Sequence, residues 1–233
     1  MSKLLSVVFG STDSGAELLW IPIGLLVAAI AYLLGSIPTG YWLGKILKGI
    51  DIREHGSKST GATNVLRTLG KTPALIVLLV DLLKGIAALA FTRWFYGLAI
   101  ASAIPPTVDP QTWTTWAITL AALMAVLGHS KSVWIKFTGG KSAATGLGAL
   151  FGMAWQVGLG GAIVFGVALA IFRIVSLSSI ATVIAAMILM VVWQQPFAFQ
   201  LATIAGGLYV IWCHRANIKR LLAGTEPRIG QKV

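Results

Sequence analysis

A chain of 233 residues that is 57% hydrophobic and only 11% charged is not a soluble globular domain; the composition is that of a polytopic membrane protein. Its net charge of +11 does not make it a nucleic-acid binder, because the basic residues flank apolar spans rather than forming a groove interleaved with exposed aromatics. One cysteine, Cys213, excludes an intrachain disulfide framework.

In chain order, the weak apolar run at 4–9 is too short and poorly flanked for a signal peptide, so 1–17 reads as a loose extramembrane tail. A first span covers about 20–47, with Gly35, Ser36 and Pro38 predicting a break and Gly40 and Gly44 a close helix contact. A polar island follows at 52–72. It places Gly56, Ser57, Ser59, Thr60, Gly61, Thr63 and Asn64 among Arg53, Lys58, Arg67 and Lys71. Glycines that turn backbone N–H groups inward, small hydroxyls and cations are together the ligand set of a phosphate or carboxylate. A short helix is predicted from a Ser59 or Thr60 cap to Gly70, its N-terminus facing the anion.

Thr72 and Pro73 open a second span reaching about Gly97, inside which Asp81 and Lys84 share one helix face and can pair. A connector at 101–111 supplies Asp109 as the cap of a third span, about 111–127. The second island, 128–142, runs from Gly128-His129 to Gly139-Gly140-Lys141-Ser142. A fourth span from about Lys141 carries Gly148 and Gly152 at GxxxG spacing and ends near 155–158. A Gly160-Gly161 turn then leads to a fifth span ending at Arg173. The third island, 173–179, contains Ser176. A sixth span (about 177–193), a Gln194-Gln195-Pro196 turn and a seventh span (about 199–212) lead to the last island and tail, 214–233, where His214 and Asn217 lie one helical turn apart.

The reading is therefore an all-α fold over 1–233, one seven-helix membrane domain, with islands after spans one, three, five and seven and hence on one face. All Lys and Arg except Lys3, Lys84 and Arg93 lie in or beside the islands, so the positive-inside rule places them in the cytoplasm and the N-terminus outside. Spans two, four and six then all begin at that face, adding three positive helix ends to a cytoplasmic anion site.

Gly140-Lys141-Ser142 looks like the end of a P-loop, but Ile135 stands where the first glycine belongs and no βαβ unit surrounds it; a local phosphate clamp on Lys141 is what remains. The histidines, His55, His129 and His214, match no metal spacing, and no histidine has an obvious carboxylate orienter for a nucleophilic serine. No metal and no cofactor are expected.

Gly56-Ser57 through Gly61-Ala62-Thr63-Asn64 and Arg67, Gly128-His129 through Gly139-Gly140-Lys141 and Ala144-Thr145-Gly146-Leu147-Gly148, Val175-Ser176-Leu177, and His214 with Asn217-Ile218, Arg220-Leu221-Leu222 together resemble the bacterial membrane-integral acyl-phosphate:glycerol-3-phosphate acyltransferase family. The resemblance runs over almost the whole chain in the right order. It implies a seven-helix protein of the bacterial cytoplasmic membrane that moves a fatty acyl group from acyl phosphate to the 1-hydroxyl of glycerol 3-phosphate, releasing lysophosphatidic acid and phosphate. Its partners are then glycerol 3-phosphate, a fatty acyl phosphate and the lipid bilayer, without nucleic acid. By the same resemblance Ser57, Thr63, Asn64 and Arg67 are part of a phosphate cradle, to which the island's own composition adds Gly56, Ser59 and Gly61. Lys141 and Ser176 are by the resemblance further substrate ligands, Gly139, Gly140 and Ser142 complete the local clamp around Lys141, and His214 and Asn217 hold the reacting acyl phosphate, with Lys141 and Arg67 as catalytic cations. The pattern departs where Lys58 and Ser142 replace usual glycines and where Ser130, Lys131 and Ser132 replace a proline and aromatics; Lys58 at a positive φ would be strained. A transporter for a small organic phosphate is the alternative use of the same anion site.

Overall fold

The fold is taken from a computed structural model in which residues 14–103 and 109–231 are described. It contains ten α-helices among those residues: α1 Ser14–Ser36, α2 Thr39–Lys48, α3 Ala62–Thr68, α4 Lys71–Ala103, α5 Pro110–Ser130, α6 Ala143–Met153, α7 Trp155–Phe172, α8 Val175–Val192, α9 Phe197–Cys213 and α10 Arg215–Leu222. Short 3-10 turns at Ile52–Glu54 and Val133–Ile135 and one bridge between Ser132 and Thr138 are the remaining regular structure. Large apolar side chains such as Leu25, Ile163, Ile171, Val192 and Leu208 point outward, while the shared core is built largely from alanines, among them Ala31, Ala88, Ala121, Ala125 and Ala149. That inversion suits a bundle in lipid, where burying a leucine gains little and close backbone approach gains more.

Among the described residues four stretches are long and apolar enough to cross a membrane: Pro22–Lys48, Lys71–Leu98, Trp155–Phe172 and Val175–Val192. α9 and α10 make a fifth if their 61° bend is counted within one broken span. The two remaining predicted spans are weaker. α5 opens on Gln111, Thr112, Thr114 and Thr115, and α6, with 11 residues, is about 16 Å long against a hydrocarbon core of about 30 Å.

Several boundaries differ from the sequence reading. Ser14 already begins α1, so the tail expected over 1–17 is helical from residue 14, and its first 13 residues lie outside the described ones, as does 104–108 of the connector. The break at Pro38 is present. α4 starts at Lys71, leaving Pro73 in the first turn, where its missing N–H has no intrahelical partner to lose. Asp109 caps α5, accepting from the N–H groups of Gln111 and Thr112. Gly160 and Gly161 make no turn. They lie within α7, and the chain reverses at Ala154, which α6 and α7 share as an extended cap. The glycine pair instead thins one face of α7, where Leu189 and Thr182 of α8 sit close.

Glycines hold the helices that carry the islands. A Cβ at Gly148 would lie 2.0 Å from Leu82 O, one at Gly85 2.3 Å from Thr145 O, and one at Gly152 2.7 Å from Leu89, so α4 and α6 run side by side at backbone contact. α1 and α5 meet the same way through Gly35 against Ala125 O and Gly128 against Tyr32 O. Arg93 of α4 reaches the free end of α6, donating to Gly152 O and Met153 O at 2.9 and 3.1 Å. This satisfies carbonyls that the short helix leaves open and sets a cation at the negative end of its dipole.

Gly148→Ala puts its methyl into the Leu82 carbonyl and separates α4 from α6. The expected cost is about 1–3 kcal/mol of stability, read as a lowered thermal midpoint of the purified protein in detergent, while Gly166→Ala, where no atom lies within 4 Å, does not lower the midpoint.

Candidate active site

All four islands meet at one end of the bundle around a cavity of about 270 Å³. Its polar wall contains Ser57, Ser59, Gly61, Thr63, Asn64, Arg67, Lys141, Ser142, Ser176, His214, Asn217 and Glu226; its apolar wall contains Leu78, Leu79, Leu82, Leu147 and Phe165. Gly56, Gly139 and Gly140 stand behind this wall rather than in it.

The first loop is organised by Asn64. Its side-chain amide donates to Ile52 O, His55 O and Ser59 O at 3.0, 3.0 and 2.8 Å, and its Oδ1 accepts from Ser57 N–H at 2.8 Å. An amide whose polar atoms are spent this way, at 1% exposure, shapes the cradle instead of reaching into it. Gly56 is needed for the same reason: it has φ +54°, and a Cβ there would meet Asn64 Oδ1. Neither Ser59 nor Thr60 caps the following helix. Gly61 occupies the cap position, and Ser59 Oγ accepts from Gly61 N–H at 3.3 Å. Lys58 takes φ +56° and Ser142 φ +62°, so both departures from glycine adopt the left-handed backbone that glycine tolerates freely. Ser142 gains a partial offset, donating from Oγ to Val126 O at 2.7 Å.

The cations divide into two groups. Arg53 is committed: it pairs with Asp51 at 2.6 Å, donates to Ile135 O and Thr138 Oγ1, and lies over the Tyr41 ring, tying the first island to the second. Its hydrogen bonds to Asp51 hold that carboxyl at about 2. Lys58 and Lys71 are exposed and outside the cavity. Arg67 and Lys141, among the described residues, have neither hydrogen bond nor ion pair, and both face the cavity. Burial pushes the Lys141 ammonium below its ordinary range, Glu226 working against that shift and Arg220 and Arg67 with it.

Two helix N-termini open on the same space. α6 begins after Ser142 and α8 after Ile174, and neither has a side-chain cap, so their first N–H groups are open to an acceptor in the cavity. The third end is α3, through Ala62 and Thr63. The expectation that α4 supplies one is incorrect: α4 reaches the cavity only from Leu78 on, because the loop at 52–60 and α3 stand between its start and the site.

His214 sits at the bend between α9 and α10 and Asn217 one turn on, and both line the cavity as expected. His214 Nδ1 lies 2.8 Å from Val210 O. Since a carbonyl only accepts, Nδ1 carries the proton and the neutral ring offers Nε2 as an acceptor. Burial brings the imidazole down to about 4, with Val210 opposing and Lys141 reinforcing the shift, so it is neutral at physiological pH.

Glu226 was not anticipated. Its carboxylate accepts from Ser176 Oγ at 2.8 Å, Asn217 Nδ2 at 2.5 Å and Arg220 Nε at 2.7 Å, fastening the tail to α8 and α10. Burial raises its pKa, and the three donors more than reverse this, leaving it below the ordinary range. The signal for it was that Glu226 is the only acid after Asp109 in a basic C-terminal half. Ser176 thereby spends its hydroxyl proton on Glu226, while Asn217 Oδ1 is buried with no partner. Asp81 and His129 form the floor. Among the described residues no three His, Cys, Asp or Glu side chains gather as a metal site.

A family model described as glycerol-3-phosphate acyltransferase matches residues 25–224. Glycerol-3-phosphate acyltransferase of Trichormus variabilis is 59% identical over 216 residues, covering 92% of this chain and 96% of the relative. Glycerol-3-phosphate acyltransferase 2 of Rhizobium johnstonii is 60% identical over 215 residues, covering 91% and 98%. The crystal structure of PlsY, an integral membrane glycerol 3-phosphate acyltransferase in its glycerol 3-phosphate form, superposes with a TM-score of 0.76 at 37% identity over 89% of this chain and 96% of that one. The lysophosphatidic acid form gives 0.74 at 36% identity, over 89% and 95%. The match over nearly the full length places this chain in the glycerol-3-phosphate acyltransferase family, among integral membrane proteins.

Proposed function

We propose that this protein transfers a fatty acyl group from an acyl phosphate to the 1-hydroxyl of glycerol 3-phosphate, forming lysophosphatidic acid and inorganic phosphate. The observation that carries the reading is the pairing of Arg67 and Lys141, two cations without internal partners, with an apolar wall in one cavity. Such a site takes a ligand with a phosphate at one end and a hydrocarbon chain at the other, each buried methylene of which contributes roughly 0.8 kcal/mol. Relatives solved in glycerol 3-phosphate and lysophosphatidic acid forms carry a substrate and a product of this reaction.

In the proposed step the substrate hydroxyl oxygen attacks the acyl carbonyl carbon, the carbon–oxygen bond to phosphate breaks, and the departing phosphate takes the hydroxyl proton. Arg67, Lys141 and the open N–H groups of α6 and α8 stabilise the charge that moves onto the carbonyl and the leaving phosphate. His214 and Asn217, expected to hold the acyl phosphate, leave open only the acceptors Nε2 and Oδ1, which suit the attacking hydroxyl rather than an anion and orient it. An activated donor suits a site whose histidine is anchored by a carbonyl rather than a carboxylate. Asn64, Gly56, Gly139 and Gly140 act behind this layer by shaping the loops, and Ser57, Ser59, Gly61, Thr63, Ser142 and Ser176 complete the cradle.

In the membrane the chain makes seven passes as one domain, α1 with α2 counting as the first and α6 as a short fourth. Convergence of the islands on one cavity supports this, since it requires the helices between them to alternate in direction. The concentration of Lys and Arg at that end supports a cytoplasmic site in the bacterial inner membrane, with the N-terminus outside.

Purified protein given palmitoyl phosphate and glycerol 3-phosphate should release phosphate and lysophosphatidic acid in equal amounts, and none when palmitoyl-CoA is the donor. Product from the thioester alone overturns the donor, and product from neither, with glycerol 3-phosphate crossing liposomes, means transport. Arg67→Ala and Lys141→Ala should each lower kcat/KM by about 10²–10³ with the thermal midpoint kept.

The His214 shift has a stability consequence. The folded ring resists a proton that the unfolded chain accepts from 6.5 downward, so the stabilisation is complete above pH 6.5 and is lost as pH falls toward 4. Thermal midpoints at pH 7 and pH 4.5 should differ more in the native protein than in His214→Gln.

A further inference from the structure

The cavity floor holds charge that acyl transfer does not use. Asp81 and Lys84 of α4 form an ion pair at 2.8 Å, each side chain only 4% exposed. Lys84 Nζ also donates to Ile37 O at 3.1 Å, where α1 breaks. His129, in the last turn of α5, turns Nδ1 toward Asp81 Oδ1 at 3.5 Å, and that nitrogen has no hydrogen-bond partner. A buried ion pair is not an economical way to fill space, since apolar residues of the same volume serve as well.

The opposite edge of the imidazole gives the cluster its meaning. A Cβ at Gly140 would lie 2.1 Å from His129 Nε2, and a Cβ at Gly139 2.2 Å from His129 O. Gly140 N–H donates to that same carbonyl at 3.2 Å. The two glycines therefore rest directly on His129, one on the ring and one on the backbone, and the next residue is Lys141. His129 borders the cavity, and its Nε2 edge is the surface on which the Gly140 backbone rests.

We infer that His129, oriented by Asp81 and the Lys84 that pairs with it, is a positioning residue that sets how far Lys141 reaches into the phosphate site. The Asp81 carboxylate, 3.5 Å from Nδ1, favours this placement of the ring by charge without a hydrogen bond, and the ring edge fixes the height of the Gly139-Gly140 segment. The two glycines are needed to let the backbone come that close. The inference rests on the reading of Lys141 as a phosphate ligand.

The test is a cycle of His129→Ala, Lys141→Ala and the double variant, with His129→Asn as a less disruptive change. His129→Ala should cost about tenfold to a hundredfold in kcat/KM, the scale of a misplaced ligand. With Lys141 already removed, the same change should cost less than about threefold, because the two act through one contact. Gly140→Ala should lose activity in the native background and regain several-fold when His129→Ala opens the space. Carbamoylation of Lys141 by cyanate, followed by mass spectrometry, reports the lysine's placement without any substrate and should change rate by about threefold or more in His129→Ala and His129→Asn. Losses that add, no regain in the paired variant and an unchanged labelling rate would overturn the inference. If the native protein transfers no acyl group, the proposed function fails, and the labelling rates alone then decide the role of His129.

Discussion

Lipid offers no hydrogen bond, and every polar group of this chain is placed under that constraint. Backbone that leaves a helix must find partners within the protein or gather where water is available. The four islands do both. Asn64 closes the first loop with its own amide, Arg53 joins that loop to the second, and Glu226 draws the tail onto α8 and α10. What looks like a set of separate polar connectors is one cross-linked cap on an apolar bundle. The cavity is the space that these cross-links leave.

The bundle sets where the cap can form. α6 is too short to be held by a long apolar face of its own, yet its N-terminus must present open N–H groups to the site. Gly85, Gly148 and Gly152 let it lie against α4 at backbone distance, and Arg93 satisfies its other end. A helix fixed at both ends in this way delivers its dipole at a defined depth. Packing of small residues thus becomes electrostatics at the site, and the link is steric: a methyl group at the crossing moves the N-terminus.

Charge is used economically. Most of the basic residues that crowd the islands are spent on structure or left to solvent, and among the described residues only Arg67 and Lys141 face the cavity without internal partners. A cation already paired with a carboxylate has little left to offer a phosphate, so the division between committed and uncommitted cations matters more than their number. Neutral His214 follows the same logic, since a charged ring beside Lys141 would be costly in a buried site.

The order of apolar runs and polar islands, the break at Pro38, the GxxxG contact of Gly148, the Asp109 cap and the Asp81–Lys84 pair were all legible from residues alone, because each depends on local spacing and on hydropathy. So was the family resemblance, whose motifs are contiguous. The Gly160-Gly161 pair misled because glycine marks turns and close helix contacts alike, and only the partner surface on α8 distinguishes them. Ser59 and Thr60 looked like caps because any hydroxyl before a helix does; the pull of Asn64 on the loop assigns that position to Gly61. Glu226, the commitment of Arg53 and the seat of Gly140 on His129 join residues far apart in the chain, through distances that no spacing encodes. The sequence by itself determined a membrane bundle with basic, glycine-rich polar islands, since hydropathy and residue chemistry are local properties. Only the tertiary structure decided which of those groups face the cavity, since that depends on what each side chain meets from the rest of the fold.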